Sequence, residues 1–235
     1  SDTGEAMTYR KLIKDDSFRE TWLKSFANEL GRLSKGVGSR IPNGTNTIRY
    51  IKRDEMPNDR TATYGKVVCE YKPHKCEKNR ARLVVGGDKV DYPFEVSTPT
   101  SDITSLKCLI NSVLSTPNAK FLSLDIRDFY LETPMKRPEY MKLPIDIIPQ
   151  EIIDQYNLLP LVHTDNHVYL EITKGMYGLP QAGRIANDQL REHLEKHGYV
   201  HSNVTNGLWT HKTRDTVFTL VVDDFAVKYT SKENI

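Results

Sequence analysis

The sequence predicts an α+β fold: an antiparallel sheet with helices packed on one face. Two stretches repeat apolar residues at helical spacing, Trp22–Leu33 and Ile103–Leu114. Short β-branched and aromatic runs recur between turn signals. Two of those runs, Thr216–Val222 and Phe225–Tyr229, meet at an acidic pair, Asp223-Asp224, which places the pair on a tight hairpin turn. A content of 38% hydrophobic and 27% charged residues over 235 positions allows a buried core in a soluble chain.

In chain order, residues 1–16 are polar and read as a frayed N-terminal segment. Ser17-Phe18-Arg19-Glu20 reads as a capping box, and Trp22, Leu23, Phe26, Leu30 and Leu33 continue a helix that Gly36 stops. Strands follow at Thr47–Lys52, Lys66–Tyr71 and Ala81–Val85, the last broken by Gly86-Gly87. Ile103, Leu106, Leu109, Ile110, Val113 and Leu114 make a second helical stripe, and Phe121–Leu124 is a strand that ends at Asp125. Five prolines between residues 132 and 160 predict an irregular excursion, with a short helix near Gln150–Asn157. His167–Thr173 alternates as a strand, and a third helix runs from about Gly183 to Gly198. The hairpin Leu208–Thr210 with Thr216–Val222 then delivers the acidic turn.

Net charge is only +2, so it says nothing about partners, but its distribution does. Lys72, Lys75, Lys78, Arg80, Arg82 and Lys89 outnumber Glu77 and Asp88 and form a candidate phosphate-binding face. Three cysteines cannot all pair, and the spacing of Cys69, His74 and Cys76 fits no common zinc pattern. No apolar run approaches the ~20 residues of a membrane span, so no membrane partner is expected.

Adjacent carboxylates repel, and a divalent cation removes that repulsion. Asp125, Asp223 and Asp224, all at strand ends, are a donor set for two Mg²⁺ ions, with Mn²⁺ as a substitute, as in phosphoryl-transfer enzymes. A polar turn is the alternative meaning of an isolated Asp-Asp.

The chain resembles the reverse transcriptase polymerase domain of copia-type LTR retrotransposons, through motifs that stand in the family's order over roughly Phe18 to Lys228. Arg80–Gly87, Asp91-Tyr92 with Ser97–Thr100, Leu124–Leu131, Tyr140–Pro144, Lys174–Gly183 with His197–Tyr199, and Val221–Asp224 carry it. The resemblance implies a right-hand polymerase: 17–96 fingers with an N-terminal helix, 97–131 palm, 132–174 a fingers excursion, 175–235 palm, with the thumb absent. It implies RNA-directed DNA synthesis on an RNA or DNA template with a primer and dNTPs. Asp125 and Asp223 would bridge both metals, with Asp224 and the Ile126 carbonyl as further ligands. Asp128 and Phe129 would cradle the triphosphate with Tyr130, which would also exclude a 2′-hydroxyl. Arg82 and Lys75 would reach the phosphates, with Arg80 as a rival for either role, and Gln181 would touch nucleotide and template. Expected partners are the thumb, RNase H and integrase of a Pol polyprotein, in cytoplasmic virus-like particles with a nuclear phase.

The chain departs from the pattern at Val221, where an aromatic is usual, and at Pro180 and Gly183. These leave the acids intact and keep a second reading open: a decayed or domesticated nucleic-acid-binding module without polymerase activity. A different two-metal enzyme, a nuclease or integrase, is the other alternative, and it would need a Glu on a helix as third ligand after Asp223-Asp224.

Overall fold

The computed structural model describes residues 7–234. The protein is mixed α/β and divides into two compact units, each described by itself. One runs up to Pro93 and resumes over Tyr130–Ala182; the other holds Phe94–Phe129 and continues from Gly183.

The first unit carries α1 (Tyr9–Leu12), α2 (Asp16–Leu33), β1 (Ile48–Ile51), β2 (Thr63–Tyr71) and β3 (Asn79–Val85). The second takes over with α3 (Ile103–Ser115) and β4 (Lys120–Asp125), and the first resumes with β5 (Pro134–Pro144), α4 (Gln150–Gln155) and β6 (His167–Lys174). α5 (Ala182–Lys196), β7 (Tyr199–His201), β8 (Leu208–His211), β9 (Thr216–Val221) and β10 (Asp224–Tyr229) complete the second unit.

Among the described residues the first sheet has the order β1-β6-β5-β2-β3. Its pairs are antiparallel except β2 with β5, which run parallel over Thr63–Tyr64 and Met141–Lys142. Phe26, Leu30 and Leu33 of α2 pack with Ala81, Leu83 and Val85 of β3 and with Met141, Leu143, Leu170 and Ile172 in one buried cluster. As the sheet's edge, β3 has outward N–H groups without a strand partner, a liability that must be covered. Ala81 N–H donates to Ser25 Oγ at 2.8 Å, Leu83 N–H to Glu29 Oε1 at 3.2 Å, and Val85 N–H to the Tyr177 carbonyl at 2.8 Å. Ser25 returns its own proton to the Asn79 carbonyl at 2.8 Å. Helix α2 thus serves as the missing neighbour of the strand.

The second sheet, β4-β10-β9-β8-β7, is antiparallel throughout. Leu190 and Leu194 of α5 pack on Trp209, Phe218, Leu220 and Val227.

Four expectations need correction. The N-terminal segment is not frayed over its described part: Tyr9 and Leu12 are buried in the core and the Arg10 guanidinium pairs with Asp146. Residues 1–6 lie outside the described residues. Helix α2 begins one residue early, with Asp15 accepting from Ser17 N–H at 2.9 Å, so Ser17 lies in the first turn and is not the cap.

The proline-rich excursion contains an eleven-residue strand, β5. Pro134 and Pro144 occupy its ends, and Pro138 falls where its register with β6 shifts, between Pro134 and Glu139. Ends and bulges are where a strand tolerates the missing N–H.

The helices of the second unit do not share one face. Lys228 Nζ donates to Thr116 Oγ1 beside α3 at 2.8 Å, whereas Val227, the preceding residue, packs with α5. Successive strand residues point to opposite faces, so α3 and α5 lie on opposite sides. The α3 stripe is only partly covered: Leu109 is buried, while Ile103, Ile110 and Leu114 are exposed.

Burial raises the Glu29 carboxyl above its ordinary range, against the Leu83 N–H and the charges of Arg32, Arg80 and Arg82, which act the other way. The folded protein therefore holds this proton more tightly than the unfolded chain. Its stabilising contribution is complete below about pH 4 and is lost as pH rises through the raised folded value. The Tm difference between Glu29→Gln and wild type should shift in the variant's favour from about pH 4 to about pH 7. A difference that stays constant with pH would show that Glu29 carries no raised pKa.

Candidate active site

Strand β10 lies between β4 and β9, and its register sets the acids. Asp224 pairs with Asp125 of β4 on one side and with Val221 of β9 on the other. Directly paired residues project to the same face with Cβ atoms about 5 Å apart, so two carboxylates stand side by side at the strand ends. Asp223 occupies the turn, and its carbonyl accepts from Ile126 N–H at 3.1 Å, which ties the chain after β4 to the hairpin tip. Asp125 and Asp224 are exposed and Asp223 is half-buried.

Partial burial raises the Asp223 carboxyl above its ordinary range, and the charges of Asp125 and Asp224 add to that shift. Crowded carboxylates with no basic side chain among these causes are a chemical fit for a cation. Among the described residues, however, no three His, Cys, Asp or Glu side chains are arranged as a preformed metal site.

The turn itself is strained. Only Val222 and Asp223 separate β9 from β10, and Val222 sits at φ +60°. Positive φ at the first central residue is the pattern of a type II′ hairpin turn, where glycine is usual. A β-branched residue there costs on the order of 1–3 kcal/mol. The turn after β4 uses a more tolerant residue: Asp128, at φ +53°, pairs with the neighbouring Arg127 guanidinium at 3.2 Å. Phe129 follows in that turn.

The remaining sequence-derived site residues, Lys75, Arg82, Tyr130 and Gln181, belong to the first unit. The Arg82 guanidinium lies over the Tyr177 ring at 5.1 Å, and Tyr177 meets the Tyr130 ring edge-on at 5.9 Å. Glycine makes this approach: a Cβ on Gly178 (φ +94°) would fall 2.1 Å from the Val85 carbonyl, and one on Gly87 2.0 Å from the Gly178 carbonyl. The Gly175–Gln181 segment is therefore built onto β3 in the first unit, although the motif order assigned it to the palm. Lys75 is exposed in the β2–β3 loop.

Gln181 is not open to a nucleotide in this structure. It is 1% exposed, and its Nε2 donates to Glu139 Oε1 at 3.1 Å, while Glu139 pairs with Arg60 at 2.5 Å. Its amide is thus engaged in a buried network. Tyr177, Glu139, Glu29 and Val222 are the residues that sequence reasoning missed. Only Tyr177, an aromatic between two glycines, carried a signal. The three cysteines are free, with Cys69 against the core and Cys76 exposed.

A family model described as "Reverse transcriptase (RNA-dependent DNA polymerase)" matches residues 46–235. No curated protein matches the chain. Among solved structures, apo telomerase from Candida tropicalis truncated from its C-terminal domain superposes with a TM-score of 0.45 at 10% identity. That match covers 92% of this chain and 50% of the other, so the chain spans half that structure's length.

Replacing Val222 by Gly should relieve the backbone strain at the turn, against the larger unfolded-state entropy of glycine, for a net gain of about 1 kcal/mol. Urea unfolding measures it. A loss of stability would mean that Val222 contacts outweigh the strain.

Proposed function

Because the chain belongs to the reverse transcriptase (RNA-dependent DNA polymerase) family, with a domain of copia type, we propose that it catalyses template-directed transfer of dNMP from dNTP to a primer 3′-hydroxyl. In this reading the second unit is the palm and most of the first the fingers. The observation that carries it is the cross-strand placement of Asp125 beside Asp224, with Asp223 held at the turn between them.

Asp125 and Asp223, with Asp224 and the Ile126 carbonyl, would hold two Mg²⁺ ions. When bound, these would lower the pKa of the attacking hydroxyl and neutralise the pyrophosphate leaving group. The residues themselves supply position and charge. The turn through Asp128 and Phe129 would offer backbone N–H groups to the triphosphate. Arg82 would bind a phosphate in bidentate fashion, its plane set by the Tyr177 ring beneath it. Tyr130, whose ring rests against Tyr177, would exclude a 2′-hydroxyl by bulk. Gln181 would act by fixing the glycine segment rather than by touching substrate, because its amide is committed to Glu139. Template, primer, the rest of a Pol polyprotein and a virus-like-particle setting belong to this proposal.

Asp125→Asn and Asp223→Asn should each lower primer extension by at least about 10³-fold. Mg²⁺ should raise the Tm of the wild type, and raise that of Asp223→Asn much less. Primer extension near the wild-type rate in either variant would remove the two-metal assignment. A Mg²⁺-induced Tm rise with no extension by the wild type would favour the nucleic-acid-binding module.

Tyr130→Val should raise ribonucleotide incorporation relative to deoxynucleotide about 10-fold or more, by removing a steric clash. Competition at one template position reads the ratio. Equal falls in both rates would make Tyr130 a packing residue.

A further inference from the structure

We infer that Ser25 and Glu29 of α2 are positioning residues for the arginines of β3, an inference that rests on the polymerase reading. Both lie outside residues 46–235, the span of the family match. Their contacts are nonetheless placed at the arginines. Ala81 N–H, held by Ser25 Oγ at 2.8 Å, belongs to the peptide that follows Arg80; Leu83 N–H, held by Glu29 Oε1 at 3.2 Å, belongs to the peptide that follows Arg82. Both bonds are buried. Each arginine therefore has its own backbone pinned on the side away from β2, while Arg80 and Arg82 face Glu70 and Val68 across the ladder.

Glu29 is 4% exposed, and a buried carboxylate is costly unless it is paired. Its partners are the Leu83 N–H and the guanidinium charges of Arg32, Arg80 and Arg82; Arg32 Nη1 stands 3.5 Å from its Oε2. Arg32 is itself tied to Glu77 in the β2–β3 loop. The Nε atoms of Arg80 and Arg82 are buried without hydrogen-bond partners, so no side-chain hydrogen bond at Nε fixes either guanidinium. Their aim is then set by the strand backbone and, for Arg82, by the Tyr177 ring. A strand edge free to shift would move the phosphate-binding groups with it, and small misplacements at a reacting centre cost rate or affinity steeply.

The test compares Ser25→Ala, Glu29→Ala and Glu29→Gln by dNTP KM and kcat in primer extension, by equilibrium dNTP binding, and by template–primer affinity. Ser25→Ala and Glu29→Ala should raise the dNTP KM about tenfold, with kcat within about twofold and template–primer affinity unchanged. Glu29→Gln keeps the acceptor for Leu83 N–H and should return KM to within about threefold of wild type. Should Glu29→Ala fail to fold, Ser25→Ala decides the matter, since it removes a neutral hydroxyl only. Folded variants with lower Tm but unaltered dNTP KM and affinity would overturn the inference and leave the polymerase reading standing. A wild-type protein that binds no dNTP would overturn both.

Discussion

The register of β10 between β4 and β9 is the constraint on which the candidate site depends. Pairing Asp224 with Asp125 places two acids on one face and brings the turn carbonyl of Asp223 onto Ile126 N–H. A slip of one residue would send Asp224 to the opposite face, because side chains alternate along a strand. Phe218, Leu220 and Val227 prevent the slip: they bury one face against α5, and a shifted register would expose them. The core on one side of the sheet thereby holds mutually repelling carboxylates at its end. The cost shows as a raised Asp223 carboxyl and as positive φ at Val222. Strain and like charge are thereby concentrated at one hairpin tip.

A different constraint organises the first unit. Strand β3 is an edge, yet its outward N–H groups at Ala81, Leu83 and Val85 are all satisfied, two by side chains of α2 and one by the Tyr177 carbonyl. This joins three distant stretches of sequence at one strand. The N-terminal helix covers the edge, the glycine segment closes its end, and the alternate residues Arg80 and Arg82 are left with their side chains on the far side of the strand's period. Glycine at positions 87 and 178 makes the closure feasible, since a Cβ at either would collide with backbone.

Where sequence reasoning failed, the reasons are physical. Five prolines argued against a strand over residues 132–160, but β5 puts its prolines at its two ends and at a register shift. The polar composition of residues 1–16 hid Tyr9 and Leu12, two apolar residues at helical spacing whose burial depends on a core formed by residues far along the chain. The burial of Gln181 against Glu139 was likewise invisible, because it depends on a partner 42 residues earlier, which no local pattern reports.

Residue types and their order were enough to set a mixed α/β class, the helices α2, α3 and α5, and the strands flanking the acids, because local propensity and period-2 or period-3.6 patterning are properties of short windows. Motif order was enough to place the family. Tertiary structure alone decided which residues stand next to those motifs: the opposed positions of α3 and α5, the sealing of β3 by Ser25 and Glu29, the Arg82–Tyr177–Tyr130 contact, and the commitment of Gln181 to Glu139. These are contacts between residues as much as 112 positions apart, such as Thr116 and Lys228. They follow from how buried polar groups find partners once the chain is closed, and a sequence window contains no information about that.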